Sequence, residues 1–560
     1  MSRGALALLS AAAALYLFAV GMQLRKPLVY DDANFALAAR AVADTGLPYG
    51  NQGWMSERGD FSQREQWALW HPPLYVYLIG AASKLGGWTP PALRAVGVIG
   101  GLATGWLTYL LAREITRGPP QAREIAGGIA AALCLTCPLV IQSTLVVDID
   151  LALLLPLTLL FLLLYIRLED TPRWPWLVPL FSLLLWSKMT NPLPLVVIVG
   201  VWQVLRGKPG RAGLHFVGIG VGGALLFGAT WFIVARLLGF PFDMPFGVNV
   251  VQWQDSAEVA RRAYASPGAF LEGLQPTVIW IGPALVALGL AGVGVRVAQI
   301  ACSWNAGRRV DLLIGLLVVL VLGYVNKYAG WFPKYQVAMV PLLAILGASL
   351  VAQAWCLRRD LVLGVGAAAL ALSGLVVALL VHDRWALERT WAIEPPAGIA
   401  LLSMLLIGTV AAGLSHRARA PAVAAIAVLS GMALGWSVAT DAEQMRAAYS
   451  TTYWYGTSGT QAAAEWIDAN LRPDETYVSA KELAVRATNQ RYVDQDNVVY
   501  LLGSGHHFDG TWNSEPAAAA IVWQREPYVG DLLARGLADA GFRETARFGD
   551  YVVYQPGTGS

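Results

Sequence analysis

Two adjacent carboxylates, Asp31 and Asp32, follow the first apolar segment of the chain and open a stretch with helical spacing of apolar residues. The apolar positions 35, 38, 39 and 42 share one face, which predicts an amphipathic helix along the membrane surface. A helix N-terminus favours the ionised form of a carboxylate, so these side chains have the chemistry of a general base. A helix cap is the alternative interpretation, and it explains one of the two residues.

The same loop carries two further candidate groups, Glu65 and His71. His71 precedes a Pro-Pro pair that begins a second helix, which is too short to cross a bilayer and is predicted to lie beside it. Both side chains are candidates to join Asp31 in one site. For Glu65, a solvated loop charge paired with Arg64 is the simpler alternative.

The composition indicates what class of protein must position these groups. Of the 560 residues, 56% are hydrophobic and 14% are charged, whereas a soluble domain is about 25% charged. This excludes a soluble enzyme, a disordered chain and a disulfide scaffold, and it leaves a polytopic membrane protein. Membrane lipids are therefore the expected surroundings of the chain. A nucleic acid partner is not expected, because the sequence has no basic run that suits one.

Thirteen apolar segments are candidate membrane-spanning helices, since crossing the hydrocarbon core takes about 20 apolar residues. With the N-terminus in the cytoplasm, every predicted inner loop is basic, in agreement with the positive-inside rule. The long irregular loops, of which 25–90 is the first, then lie outside the cytoplasm, and a plasma (inner) membrane location is expected. The predicted spans are 5–24, 91–113, 123–142, 147–166, 174–189, 191–206, 214–238, 276–299, 310–328, 335–355, 360–381, 397–414 and 420–439.

The last part of the chain differs from the rest in charge. Residues 441–560 hold 9 Lys and Arg against 16 Asp and Glu, whereas residues 1–440 hold 31 against 21. We therefore predict a transmembrane domain at 1–440 and a small extracytoplasmic α/β domain at 441–560. Its predicted helices are TQAAAEWIDANL and VGDLLARGLADAGF, and its predicted strands are ETYVSA, NVVYLL, AAIVWQ and DYVVYQP.

The Asp-Asp opening followed by an amphipathic helix resembles the first loop of the GT-C glycosyltransferases, membrane enzymes that take sugar from a polyprenyl-phosphate carrier. Four later segments resemble, in order, the branch that contains protein O-mannosyltransferases and lipid A aminoarabinose transferases. The resemblance covers residues 1 to about 355 in sequence and the rest in architecture only. The four segments are HPPLYVYLIGAASKLGG, PLVIQSTLVVDIDLALLLPLTLL, LFSLLLWSKMTNPLPLV and FPKYQVAMVPLLAILGAS.

This resemblance implies a role for each matching position. Asp31 matches the general base that acts on the acceptor hydroxyl, and Asp32 stands where the family usually has Glu. Lys188, Lys334 and Tyr335 match positions that meet the carrier phosphate. Lysines there are point charges for the negative charge that develops on a departing phosphate. For Lys188, at the end of an apolar span, a side chain reaching to the interface is the alternative interpretation.

Other positions match the family less closely. Asp148 or Asp150 matches the Asp of the fourth span, and the sequence leaves both open. The family often has an acidic residue and a Lys before the Pro pair, where this chain has Trp70 and His71. His71 is therefore a weaker phosphate candidate, and Glu65 a candidate for the second acidic group. The sequence shows no carboxylate cage, so we predict no metal site, although a divalent metal is compatible with the superfamily.

The resemblance implies transfer of a hexose or pentose from a polyprenyl-phosphate-linked donor to an extracytoplasmic glycan, lipid or protein hydroxyl by inverting displacement. The Asp-Asp pair is also common in bacterial arabinofuranosyl transferases of the superfamily, which leaves the sugar open. A transporter or flippase of lipid-linked sugar is the alternative, and a non-catalytic scaffold is the third. Transporters usually show repeats and midplane polar residues, whereas here the polar residues cluster at the predicted outer ends of the spans.

Overall fold

Helices make up most of the regular structure up to residue 357, and a β-sheet lies within residues 458–557. The structure is a computed structural model. It describes residues 2–28, 30–49, 67–243, 245–247, 261–303, 307–324 and 333–357, separate positions between 433 and 446, and residues 458–489, 491–512, 514–524 and 527–557.

The described helices of the first part are numbered in chain order, and two of them follow π-helical turns at Asp150–Leu154 and Phe216–Val221. Their bounds are α1 (Arg3–Gly21), α2 (Tyr30–Thr45), α3 (Leu74–Gly86), α4 (Pro90–Ile115), α5 (Pro120–Leu135), α6 (Pro138–Leu145), α7 (Leu155–Leu168), α8 (Leu177–Ser187), α9 (Leu193–Leu205), α10 (Pro209–His215), α11 (Gly222–Leu238), α12 (Pro267–Ile281), α13 (Pro283–Ser303), α14 (Arg309–Tyr324) and α15 (Met339–Leu357).

Four helical stretches of the described chain are long and apolar enough to cross a bilayer, and a fifth is the pair α5 and α6, which is bent by 55°. The mainly helical membrane architecture is therefore confirmed. The predicted spans 360–381 and 397–414 and most of 420–439 lie outside the described residues, so the number thirteen stays a prediction. The four stretches are Arg3–Gly21, Pro90–Ile115, Asp150–Leu168 and Pro209–Leu238.

Two predicted spans are interrupted in the structure. The span 123–142 breaks because Pro138 lacks an N–H and excludes the helical conformation at Cys137, whose φ is −70° and ψ 127°. The span 276–299 was predicted as one helix, which is wrong. Gly282, with φ of 96°, separates α12 from α13 there.

Helix α4 lies directly against the end of α6 and the π-helical turn before α7. A Cβ at Gly97 would stand 2.6 Å from the carbonyl oxygen of Thr144, and one at Gly100 would overlap the backbone of Ala152. Glycine is required for backbones to approach this closely. Tyr16 of α1 reaches the same segment, with its hydroxyl 2.9 Å from Thr144 Oγ1. Helices α1 and α4 together therefore brace residues 144–152.

Ion pairs connect four of the loops that the positive-inside rule assigns to the inner side. Arg167 lies 2.7 Å from Glu114, and Arg309 lies 3.6 Å from the same carboxylate. Arg206 lies 3.1 Å from Asp170. These loops therefore meet at one end of the helices, as alternate loops of a membrane protein must. That this end faces the cytoplasm stays a prediction.

The described residues 458–557, called the C-terminal unit below, form a mixed sheet with the strand order β2-β1-β4-β6-β5. Strands β2, β1 and β4 run parallel, β4, β6 and β5 pair antiparallel, and β3 pairs with β4. The elements are α16 (Thr460–Asn470), β1 (Thr476–Ser479), α17 (Lys481–Ala484), β2 (Tyr492–Asp494), α18 (Gln495–Gly503), β3 (Thr511–Trp512), β4 (Glu515–Trp523), α19 (Pro527–Asp539), β5 (Phe542–Phe548) and β6 (Tyr551–Pro556).

Most elements predicted for this unit are confirmed. Helices α16 and α19 and strands β1, β4 and β6 fall on the predicted segments. The prediction of a strand at NVVYLL is wrong, because those residues belong to α18. The carboxylate of Asp494 accepts the N–H of Asp496 and so caps the start of that helix. Leu502 of α18 then packs against Gly536 of α19.

Candidate active site

Two buried lysine–aspartate pairs lie next to each other in the first part of the chain. Lys188 Nζ donates to Asp150 Oδ1 at 2.8 Å, and Lys334 Nζ pairs with Asp148 Oδ2. The four residues are only 4–6% exposed. Charges at this depth are costly unless they are paired, so each partner stabilises the other. The structure thus brings together residues from three separate stretches of the sequence, and it includes both Asp148 and Asp150.

Each of these charges stands where a helix begins or ends. Asp150 opens the π-helical turn that leads into α7. Lys188 directly follows α8 with an extended backbone, at φ −156° and ψ 115°. Lys334 begins a 3₁₀ turn ahead of α15. Asp148 is fixed by its own segment, because its Oδ1 accepts the N–H of Ile149 at 2.6 Å.

The ring of Tyr335 joins the two pairs. Its centroid lies 4.8 Å from Lys188 Nζ and 5.2 Å from Lys334 Nζ. Both distances are within the range of a cation–π interaction, which is about 6 Å. The ring therefore holds the two ammonium groups near each other, so a single anion could meet both.

An apolar groove begins at Asp150, Asn191 and Tyr335, and its empty space is about 560 Å³, including the part that is open to solvent. It runs between α7, α9, α14 and α15. Apolar walls with a few polar groups at one end suit a ligand that combines a hydrocarbon chain with a charged head. The walls include Leu154, Leu155, Leu195, Leu316, Leu320 and Leu342.

Asp32, a predicted catalytic residue, lies in a buried cluster with Arg94 of α4. Its Oδ1 accepts the N–H of Val147 at 2.7 Å, and its Oδ2 lies 3.5 Å from Arg94 Nη2. Asp32 is 1% exposed and Arg94 2%. The guanidinium also donates to four backbone carbonyls, those of Leu145 at 2.5 Å, Leu24 at 2.8 Å, Lys26 at 2.7 Å and Pro27 at 3.1 Å. These contacts attach α2 to the segment that carries Asp148.

The predicted amphipathic helix is confirmed as α2, and the short helix after the Pro pair as α3. The backbone of Asp31 lies in the first turn of α2, next to Asp32. Its side chain and the whole of Glu65 lie outside the described part of the structure. His71 is half-buried in the turn before α3. The roles of Asp31, Glu65 and His71 stay predictions.

Arg94 is a residue of this region to which no motif pointed. A signal was nevertheless present in the sequence, because Arg94 stands inside the apolar span 91–113. A charge within a span is rare unless it is paired or has a function. Its acceptors come from two other segments, and no spacing in the sequence identifies them.

Comparison with known proteins identifies the fold that carries these residues. Residues 70–232 match the family model described as dolichyl-phosphate-mannose-protein mannosyltransferase. ArnT from Cupriavidus metallidurans, in a crystal structure bound to undecaprenyl phosphate, is 17% identical, with a TM-score of 0.58 over 99% of this chain and 98% of that chain. The protein has the GT-C fold. The resemblance stated from the Asp-Asp loop and the four later segments is thereby confirmed.

Two further structures share the GT-C fold. ArnT from the same organism in the apo state has a TM-score of 0.55 at 19% identity, over 98% of this chain and 97% of that chain. The oligosaccharyltransferase of Archaeoglobus fulgidus in the apo form has a TM-score of 0.50 at 14% identity, over 99% of this chain and 74% of that chain. Comparison with curated protein sequences gives no match.

Proposed function

We propose that this GT-C protein is a membrane glycosyltransferase that moves a sugar from a polyprenyl-phosphate donor to a hydroxyl group outside the cytoplasm. The observation that carries the proposal is the pair of buried lysines, Lys188 and Lys334, beside Tyr335 at the polar end of an apolar groove. The groove offers apolar walls to a prenyl chain, and the lysines offer charge to its phosphate. The crystal structure of ArnT bound to undecaprenyl phosphate supports this type of ligand.

In the proposed reaction, the acceptor oxygen attacks the anomeric carbon of the sugar. The bond from that carbon to the phosphate oxygen breaks, and the polyprenyl phosphate leaves with the electron pair. The acceptor proton passes to the carboxylate of Asp31. One displacement of this kind inverts the configuration at the anomeric carbon. A base at this step contributes about 10² to 10⁴ in rate.

In the same step, the two lysines assist the departure of the phosphate. Negative charge grows on the leaving phosphate, and preorganised cations in a site shielded from water stabilise it strongly. Asp150 and Asp148 keep Lys188 and Lys334 charged and in place before the donor arrives. Donor binding then replaces a lysine–carboxylate contact by a lysine–phosphate contact.

The placement of the reaction follows from the charge of the loops. The end of the helices where Arg167, Arg206 and Arg309 form ion pairs is proposed to face the cytoplasm, in accord with the positive-inside rule. The C-terminal unit and the acceptor, which is a glycan, lipid or protein, are then on the opposite side. No described residues form a metal-binding group of three or more His, Cys, Asp or Glu side chains, and the proposed step uses none.

The test is sugar release by the purified full-length protein from polyprenyl-phosphate-linked mannose, glucose, arabinofuranose and aminoarabinose, with a simple hydroxyl acceptor mixture. We expect release from one of these donors. The same sugar on a phosphate with a short prenyl chain should have a higher KM, because it leaves most of the groove unfilled. No release from any donor, together with movement of a labelled donor across vesicles that contain the protein, would instead indicate the flippase.

A further inference from the structure

The C-terminal unit is attached to α2 by a hydrogen-bonded arginine. Arg40 lies in the C-terminal half of α2, and its Nη1 donates to the carbonyl oxygens of Val485 at 3.0 Å and Ala487 at 2.9 Å. Those two carbonyls belong to residues just after the short helix α17. Carbonyl groups at the C-terminal end of a helix have no partner within the helix, so they need donors from elsewhere. The half-buried guanidinium of Arg40 therefore donates hydrogen bonds from α2 to the end of α17 in the C-terminal unit.

Apolar packing surrounds this contact. Ala33, Ala36 and Ala39 of α2 are fully buried in one cluster with residues of α17 and of the sheet. Small side chains permit close approach of the two backbones. Ile149 and Val147, which flank Asp148, belong to the same cluster. The C-terminal unit therefore packs on α2, the helix of Asp31, and the segment of Asp148 belongs to the same buried cluster.

We propose that the C-terminal unit is a positioning part of the active site, and that Arg40 is the residue through which it fixes α2. Helix α2 is held at its N-terminal end by the contacts of Asp32 with Arg94 and Val147, and in its C-terminal half by Arg40. With either attachment lost, the helix can tilt and move Asp31 away from the reacting hydroxyl. The inference rests on the proposed function, because Asp31 is the proposed base.

The chemistry of the contact defines the variants that test it. Both hydrogen bonds leave from one nitrogen, so the ammonium group of Arg40→Lys can still donate to both carbonyls. Arg40→Met keeps an apolar stem of similar length and removes the donors. Arg547→Gln serves as a matched control, because Arg547 is an exposed arginine of the same unit that pairs with Glu544 within β5.

The first readout is amide hydrogen exchange of the full-length proteins in detergent. Arg40→Met should raise exchange several-fold in α2 and in residues 481–489, since local opening follows the loss of contacts that hold a segment. Arg40→Lys and Arg547→Gln should exchange as the wild type does. Unchanged exchange in Arg40→Met would show that the arginine does not hold the helix, and the inference would be wrong.

The second readout separates turnover from binding, with the donor that the wild type uses. Arg40→Met should lower kcat about tenfold or more and leave the donor KM unchanged, because a misplaced base costs rate whereas the lysines still bind phosphate. Arg40→Lys should recover most of the rate. A changed KM for the acceptor with unchanged kcat would overturn the inference in favour of acceptor binding by the C-terminal unit. Failure of the wild type on every donor would instead overturn the proposed function.

Discussion

Arg94 and Asp32 form an ion pair, 3.5 Å long, between α4 and α2, and both residues are almost fully buried. The carboxylate also accepts the N–H of Val147, and the guanidinium donates to the carbonyl of Leu145. The pair therefore fastens two segments that carry Asp31 and Asp148. We infer from these contacts that the two adjacent aspartates have different tasks, with Asp32 holding the segments together and Asp31 acting as the proposed base.

A first prediction concerns the stability of this pair. Arg94→Gln should lower the free energy of unfolding by about 3–5 kcal/mol, because it leaves a buried carboxylate without its counter-charge. The double variant Arg94→Gln with Asp32→Asn should lose less than the sum of the two single variants. Thermal unfolding in detergent measures all three proteins. Additive losses would show that the two side chains do not interact.

A second prediction concerns the lysines. Lys188→Gln should lower kcat/KM for the donor about 10²-fold, since one preorganised charge on the leaving phosphate is lost. Lys334→Gln should have a similar effect. Lys208→Gln is the control, because Lys208 pairs with Asp170 at the opposite end of the helices. Steady-state kinetics against donor concentration provides the measurement, and equal kinetics of Lys188→Gln and Lys208→Gln would remove Lys188 from the phosphate site.

A third prediction concerns the close approach of α4 to the site segment. Gly100→Ala should destabilise the protein by about 1–3 kcal/mol, because the added methyl group has no room against the backbone of Ala152. Gly200→Ala in α9 is the matched control, since a Cβ there meets nothing within 4 Å. That variant should be neutral or slightly more stable. Equal melting temperatures of the two variants would contradict the packing described for α4.

A fourth prediction concerns pH and the C-terminal unit. Burial raises the pKa of Asp494 to about 7, against the opposing effect of Lys481, 3.1 Å away. An unfolded chain has an Asp pKa of about 3.9. The folded unit therefore binds the proton more tightly, and its stability should fall as the pH rises from about 4 through about 7.

Hydrogen exchange of the β4 amides, corrected for intrinsic rates, measures this effect. Protection in the wild type should decrease over that pH range, and Asp494→Asn should show a smaller decrease. Asp539→Asn, on the exposed side of α19, should follow the wild type. The same pH dependence in wild type and Asp494→Asn would show that Asp494 does not titrate as described.

Much of the fold could be predicted because membrane helices carry strong local signals. Apolar length identified most of the described helices, and the spacing of apolar residues identified α2. Local signals failed where a helix was interrupted, as at Pro138 and Gly282. They also failed at NVVYLL, where an Asp cap makes an apolar run helical.

The site could be predicted only in part. Residue types and family order pointed to Lys188, Lys334 and one of Asp148 and Asp150, but not to the pairing between them. The pairs with Asp150 and Asp148 join residues that are 38 and 186 positions apart, and such pairings depend on helix packing rather than on spacing. The same reason hid the acceptors of Arg94 and the contact of Arg40 with the C-terminal unit.

The most direct test of the central claim compares wild type, Asp31→Asn and Asp32→Asn with the polyprenyl-phosphate sugar that the wild type uses. Asp31→Asn should fold normally, bind the donor with unchanged affinity and lose transfer by about 10² to 10⁴, as expected for loss of a general base. Asp32→Asn should lose thermal stability as well as rate. Full transfer by a normally folded Asp31→Asn would contradict the assignment of Asp31 as the base.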